Sequence, residues 1–203
     1  YNRPEIMKEF CDKYLLAYYD AGIDVYIYDS SENDDTSDII EKYRKRYENL
    51  SYFRMNSYIS SNKKIYMIFQ RYMWKMDYDY IWLCGDALRY TEKAFNKIRS
   101  YLAEGFDLIV TDIMNCEHLG IRHYEDAQAL FDDCAWYMTM YGGVILKTET
   151  MLNNVSWNEL EKKYLSFDTQ YYSQIGLYFE QILKIKEFKA VHIEIDETEG
   201  FHS

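Results

Sequence analysis

The most constraining feature of this sequence is a regular alternation between short β-rich runs and longer amphipathic segments. The amphipathic segments have apolar side chains three or four positions apart, as at Ile6, Phe10, Tyr14 and Tyr18, which predicts helices. Predicted helices cover 3–22, 36–47, 62–76, 91–104, 124–137 and 168–184, and predicted strands cover 23–28, 50–55, 78–84, 107–113, 142–147 and 190–195. Because strands that alternate with helices are joined by crossover connections, we expect an α/β fold with a mostly parallel sheet flanked by helices.

Length and composition indicate a single domain over 1–203. The chain has 203 residues, of which 48% are hydrophobic, and its one proline is Pro4. These values exclude a disordered or linker-rich chain. The chain has no initiator Met and begins at Tyr1 inside what looks like a motif, so we interpret it as a fragment.

The net charge of −11 narrows the possible partners. Nucleic-acid backbones and anionic membrane surfaces are bound by clustered Lys and Arg, so neither is expected as a partner. No apolar run is long enough to span a bilayer, and no signal peptide is visible. Any small anionic ligand must therefore be held by local positive charge.

The four cysteines are widely spaced and form no C-x-x-C pattern. This spacing indicates reduced thiols in a cytoplasmic protein. Cys116, His118 and His123 lie close in sequence, but their spacing matches no zinc pattern and predicts an ordinary polar loop.

Three acidic residues lie at the end of a predicted strand or just after it: Asp29 after 23–28, Asp86 after 78–84, and Asp112 after the first five residues, 107–111, of the strand predicted at 107–113. In parallel sheets ligands collect at the carboxyl ends of the strands, so these side chains are candidates for one common site. Asp is also a common turn former and N-cap, and each of the three has that alternative. For Asp34 and Asp35, which precede a helix, capping is the preferred interpretation.

Three motifs occur in an order and at a spacing that resembles the family 2 glycosyltransferases of the GT-A fold. They are "YNRPE" at 1–5, "VYIYDSSENDDT" at 25–36 and "DYIWLCGD" at 79–86. The resemblance covers 1–113 well and the rest loosely. It implies a nucleotide-sugar-binding half, 1–113, and an acceptor-side half, 114–203. Because members of the family have a strand just before the first motif, it also implies a central strand upstream of residue 1.

The resemblance implies which residues contact the donor, a nucleoside-diphosphate sugar. Tyr1 would stack on the base, with Asn2 and Arg3 beside it. Asp29 would accept a hydrogen bond from the base or the ribose, because a carboxylate selects an N–H or O–H donor. Lys64, like the neighbouring Lys63 and like Arg89, would balance phosphate charge, with an ordinary surface position as the alternative.

The triplet Cys84-Gly85-Asp86 stands where the family has D-x-D. The resemblance implies that these residues line the donor and that Asp86 binds Mn²⁺ or Mg²⁺. A thiol contributes little to a hard cation, so metal binding would depend on Asp86 and the phosphates. His192 and His202 are conceivable further ligands, with simple packing or exposure as the more frequent outcome.

Asp168 in "SFDTQYYSQI" resembles the base that deprotonates the acceptor in inverting members of the family. Its alternative is a plain N-cap of helix 168–184. Gly142 and Gly143 in "YGGVILK" would allow close approach of the sugar, or would serve a tight turn.

The function implied by the resemblance is transfer of a sugar, from a UDP-linked donor, to a hydroxyl acceptor with inversion. The acceptor would be a glycan or a lipid-linked or protein-linked hydroxyl, and the protein could be a homo-oligomer. The alternative is a degenerate GT-A domain that binds a nucleotide sugar, glycan or partner protein without catalysis. A nucleotidyltransferase would need a Gly-rich, basic phosphate loop near the N-terminus, and the sequence has none.

Overall fold

The structure, a computed structural model, describes residues 2–72, 77–113, 119–166 and 172–195. Helices and strands alternate through these residues, which confirms the α/β class. The helices are α1 (Pro4–Lys13), α2 (Leu15–Asp20), α3 (Asp35–Arg44), α4 (Ser61–Met67) with a π-helical continuation (Ile68–Tyr72), α5 (Glu92–Glu104), α6 (Ala127–Met138), α7 (Thr148–Met151), α8 (Trp157–Tyr164) and α9 (Ser173–Ile182). The strands are β1 (Val25–Asp29), β2 (Leu50–Arg54), β3 (Tyr80–Trp82), β4 (Leu108–Asp112), β5 (Arg122–Tyr124), β6 (Val144–Lys147) and β7 (Ala190–Glu194).

The described residues form two compact units. The first unit contains 2–59 and 86–98, and the second contains 60–85 and the described residues from 99 to 195. These boundaries do not follow the predicted division at residue 113. The prediction of one domain, with a further strand upstream, stays a prediction.

The first unit has a two-stranded parallel sheet, in which Asp29 at the end of β1 is the register partner of Arg54 at the end of β2. Helix α3 makes the connection between the strands, as the alternating pattern predicts. The predicted first helix is divided at Tyr14 into α1 and α2. Buried apolar side chains of this unit are Phe10, Cys11, Leu15, Tyr18, Ile40, Tyr47, Leu50, Met55, Tyr90, Ala94, Phe95 and Ile98.

The second unit contains a five-stranded sheet in the order β3-β6-β4-β7-β5. Helices α4, α6, α7 and α8 each contact α9, and α6 also lies against β4. Leu108, Leu130, Leu177 and Ala190 are completely buried in its core, and all five residues of β4 are buried, so both faces of that strand are covered. No helix among the described residues is long and apolar enough to cross a bilayer.

The prediction of a mostly parallel sheet is wrong for this unit. Strands β4 and β7 are parallel, but β6 is antiparallel to both of its neighbours and β5 is antiparallel to β7. The turn after α6 brings the chain to the end of β4, where the Thr111 amide donates to the Gly143 carbonyl at 2.9 Å. Strand β6 thus begins where β4 ends and must run the other way. Helical periodicity between two strands does not contain this information.

The turn before β6 depends on its two glycines. Gly142 has a φ of +110°, a backbone conformation that residues with a side chain rarely adopt. A Cβ on Gly143 would lie 2.2 Å from the Tyr137 carbonyl oxygen. The tight-turn interpretation of this pair is therefore confirmed, whereas close approach of a sugar stays a prediction.

Three elements were not predicted: β5, α7 and α8. Strand β5 occupies 122–124, so the helix expected from 124 begins at Ala127 instead, after its N-cap Asp126. Elements of three or four residues contain too few periods for a sequence pattern, which explains β5 and α7.

Candidate functional site

Asp29 ends β1 with a carboxylate that is almost completely buried and accepts three hydrogen bonds. Its Oδ1 accepts from the Ser31 backbone N–H at 2.8 Å and from the Ser31 hydroxyl at 2.6 Å. Its Oδ2 accepts from the Tyr52 hydroxyl at 2.8 Å. The bond to the backbone two residues ahead is the usual way in which Asp folds a turn. Asp29 therefore organises the start of the loop after β1.

The surroundings of Asp29 keep it ionised. Burial by itself raises the pKa, but the hydrogen bonds from Ser31 and Tyr52 and the charge of Arg54 outweigh it and hold the pKa below its ordinary value. The Arg54 guanidinium lies 3.6 Å from Oδ2 and donates to the Asn33 carbonyl at 2.7 Å. With three acceptor positions in use, Oδ2 retains one position for a ligand N–H or O–H.

The N-terminal motif contacts both the Asp29 loop and Asp86. The Asn2 backbone N–H donates to the Ser31 hydroxyl at 2.8 Å, and the Asn2 side-chain oxygen Oδ1 accepts from the Glu32 backbone N–H at 3.0 Å. The next residue, Arg3, donates to Asp86 Oδ1 at 2.9 Å. The neighbouring residues Asn2 and Arg3 therefore contact the loop after Asp29 and the loop that contains Asp86, respectively. The structure brings together Asn2, Arg3, Asp29 and Asp86, all in the first unit.

Arg89 is not available to a ligand in the way that the sequence allowed. It is 6% exposed, and its guanidinium donates to the carbonyls of Asp86, Leu88 and Ile6. It also lies 5.5 Å from the centre of the Phe10 ring. Arg89 therefore ties the Asp86 loop to α1, and its phosphate-binding interpretation is not supported.

Other predicted residues lie outside this group. Lys64, Cys84 and Gly85 belong to the second unit, in which Lys64 is half-buried on α4 and Cys84 is exposed. Tyr1 and Asp168 lie outside the described residues, so base stacking and the general base stay predictions.

The structure also shows the positions of Asp112, the third strand-end residue, and of Asp34 and Asp35, which were interpreted as helix caps. Asp112 is completely buried in β4, in the second unit. Asp34 is the N-cap residue of α3 by position, but its side chain makes no capping hydrogen bond. It lies instead 3.6 Å from Arg54, while Asp35 is in the first turn of α3.

The described residues do not fit a divalent cation well. Asp86 supplies one carboxylate, and that carboxylate is paired with Arg3. No group of three or more His, Cys, Asp or Glu side chains within the described ranges could hold a metal ion, whereas Mg²⁺ and Mn²⁺ prefer several hard oxygen ligands. His192 is completely buried with Nδ1 2.8 Å from the Gly120 carbonyl oxygen, as expected for a packed histidine, and His202 is outside the described residues.

A pocket of about 460 Å³ lies in the second unit between the start of α4 and helix α8. Its polar lining consists mainly of exposed side chains. The lining residues are Ser60, Asn62, Lys63, Asn158, Glu161, Lys162 and Leu165. Lys63, one of the candidates for balancing phosphate charge, is among them, whereas Lys64 is not.

Sequence reasoning missed the residues that hold Asp29 in place. Ser31 could have been found from the D-x-S spacing, which is typical of an Asp-initiated turn. Tyr52 and Arg54 gave no signal, because they reach Asp29 only through the pairing of β1 with β2.

Comparison with known proteins adds no assignment to this geometry. The sequence matches no protein-family model. It also matches no curated protein.

Proposed function

We propose that this chain is a glycosyltransferase domain of the family 2, GT-A type. It would transfer a sugar from a nucleoside-diphosphate sugar, with UDP as the expected nucleotide, to a glycan, lipid-linked or protein-linked hydroxyl, with inversion. The supporting observation is that residues from three separate motifs share one hydrogen-bonded group. Asn2 joins the Asp29 loop, and the adjacent Arg3 joins Asp86.

The chemistry of the group suits a nucleotide. The ionised Asp29 offers one acceptor position at Oδ2 to a base N–H or a ribose hydroxyl. Arg3 offers positive charge in a protein whose net charge is −11, and guanidinium groups bind phosphoryl oxygens well. Stacking by Tyr1 and proton removal by Asp168 complete the proposed mechanism, which is a single in-line displacement.

A nucleotide-binding screen tests the proposal. UDP, GDP, CDP and ADP are titrated into the protein by calorimetry, with thermal shift as a second readout, because a ligand stabilises the state that it binds. We expect selective binding of one nucleotide and a loss of about tenfold or more for Asp29→Asn, since a hydrogen bond to a charged acceptor contributes about 1.5–3 kcal/mol.

Asp38→Asn is the matched control, because Asp38 is an exposed carboxylate in the same unit. It should bind like the unchanged protein. If none of the four nucleotides binds, or if Asp29→Asn and Asp38→Asn bind equally well, the proposal is wrong.

A second candidate function is binding of the nucleotide sugar, a glycan or a partner protein without turnover. The observation that favours it is Cys84 in place of the first acid of the metal-binding triplet, together with the poor fit of the described residues to a cation. The two functions differ in product formation. A radiolabelled UDP-sugar that binds but yields neither transfer product nor hydrolysis, with or without Mn²⁺, supports the binding function. The cytoplasmic location and the possible homo-oligomer stay predictions.

A further inference from the structure

The Arg3 side chain is bound to Asp86 and is also partly exposed to solvent. Arg3 precedes α1, and its side chain is 53% exposed, while that of Asp86 is 34% exposed. Among the described residues, Asp86 is the group that accepts a hydrogen bond from the Arg3 side chain. A guanidinium has five N–H donors in a planar fork. Most donors of Arg3 are therefore directed at solvent.

Arg89 supports the backbone on both sides of the Arg3–Asp86 pair. One nitrogen of Arg89 donates to the carbonyls of Asp86 and Leu88, and the other donates to Ile6 in the first turn of α1 at 3.1 Å. The loop that carries Asp86 and the helix that follows Arg3 are thus bound to the same buried guanidinium. As a result, Arg3 and Asp86 are held at a defined separation before any ligand arrives.

The pairing also changes what Asp86 can do. A carboxylate that already accepts a hydrogen bond from a guanidinium at 2.9 Å has part of its negative charge compensated and offers fewer acceptor positions to a cation. Among the described residues no group of three or more His, Cys, Asp or Glu side chains could hold a cation, and Asp86 follows a thiol in the sequence where the family has an acid, whereas a hard cation requires several oxygen ligands. In contrast, Arg3 can bind a phosphoryl oxygen through its remaining donors without losing Asp86.

We propose that Arg3, oriented by Asp86, is the cation that binds the diphosphate, so that nucleotide binding by this chain does not require a divalent metal ion. In this arrangement Asp86 is a positioning residue, and Arg3 is the residue that contacts the ligand. The inference rests on the proposed function, because the diphosphate belongs to the proposed donor.

The two possible roles of Asp86 predict different effects of the same substitution. Asp86→Asn removes the negative charge but keeps an oxygen that can accept from Arg3. If Asp86 orients Arg3, the retained acceptor oxygen preserves part of the diphosphate affinity in EDTA, and this affinity does not depend on a metal ion. If Asp86 is a metal ligand, the same change abolishes metal-dependent binding.

The test is calorimetric titration of UDP, GDP, CDP and ADP into the whole chain, in EDTA and in Mn²⁺. We expect binding in EDTA, little gain from Mn²⁺, and a loss of about ten- to hundred-fold for Arg3→Gln, which removes a charge-assisted contact. Arg3→Lys should recover part of the affinity, since it keeps the charge and loses the fork. Asp86→Ala removes the acceptor that orients Arg3 and should weaken binding in EDTA, and Asp86→Asn, which keeps an acceptor oxygen, should recover part of that affinity.

Arg44→Gln is the matched control, because Arg44 is also an exposed arginine of the first unit in an ion pair, with Glu41. Its affinity should equal that of the unchanged protein, and circular dichroism should show that all variants are folded. Binding that occurs only with Mn²⁺, is lost in Asp86→Asn and is insensitive to Arg3→Gln overturns the inference and leaves the proposed function standing. Absence of nucleotide binding under every condition overturns both.

Discussion

Asp29→Asn should destabilise the folded protein by an amount that depends on pH in a defined way. The substitution keeps the size of the side chain and replaces one carboxylate oxygen by an NH₂ group. Two donors from Ser31 point at one oxygen and the Tyr52 hydroxyl points at the other. The amide can satisfy Ser31 through its oxygen only if its NH₂ group faces the Tyr52 hydroxyl, which must then rotate to accept.

The expected loss in the free energy of unfolding follows from these three hydrogen bonds. A hydrogen bond to a charged acceptor is worth roughly 1 kcal/mol more than a neutral one, so the three bonds together lose about 3 kcal/mol. The neutral amide is less costly to bury than a carboxylate, which returns about 1 kcal/mol. The net expectation is a loss of about 2 kcal/mol in the free energy of unfolding near neutral pH.

The direction of the pH dependence follows from the lowered pKa of Asp29 in the folded protein. Since the unfolded chain has the higher pKa, ionised Asp29 stabilises the fold above about pH 4. That stabilisation is lost as the pH falls through the folded-state value. The difference between the unchanged protein and Asp29→Asn should therefore be constant from about pH 7 to about pH 5 and should shrink below about pH 4.

Urea denaturation followed by far-ultraviolet circular dichroism measures this difference at a series of pH values. Asp38→Asn is again the control, because Asp38 is exposed, and it should cost less than about 0.5 kcal/mol. The reasoning is refuted if Asp29→Asn costs no more than this control, or if its cost increases on acidification.

Three further predictions concern other parts of the chain. Arg89→Met removes the donors for three carbonyls around a buried guanidinium and should lower the unfolding free energy by roughly 3 kcal/mol in urea denaturation; a loss under about 1 kcal/mol contradicts the assigned role. Gly143→Ala places a Cβ 2.2 Å from the Tyr137 carbonyl oxygen and should cost about 2 kcal/mol or more, whereas an unchanged melting temperature would mean that the turn before β6 differs from the one described. Burial raises the pKa of the Cys11 thiol to about 12 and that of Cys134 to about 11, so both should resist iodoacetamide near pH 8 until urea unfolds the chain; rapid labelling of the folded protein, read by peptide mass spectrometry, would contradict this.

Much of the fold could be predicted because its signals are local. The ends of strand β1 were predicted within two residues and those of helix α3 within three, since periodicity and capping residues act over one or two turns of chain. Strand-end reasoning grouped Asp29, Asp86 and Asp112 as candidates for one site, and the family resemblance added Asn2 and Arg3. Local patterns could not give the direction of β6, which depends on where the chain returns to β4.

The candidate site shows the same division. Sequence placed Asp29 at the end of a strand but could not reveal Tyr52, which approaches only through strand pairing. It also suggested a role in phosphate binding for Arg89, whose guanidinium proves to be buried against three carbonyls. Burial and partnership of a charged group depend on distant parts of the chain, so residue type alone does not decide them.

The sequence by itself determined the alternating elements, the acidic loop after β1 and the turn formed by Asp29 and Ser31, because each depends on residues a few positions apart. Only the tertiary structure decided that Arg3 faces Asp86, 83 positions away, and that β6 runs against β4. Contacts of this kind form when the chain folds back on itself to bury its apolar surface, and no short-range pattern records where that return takes place.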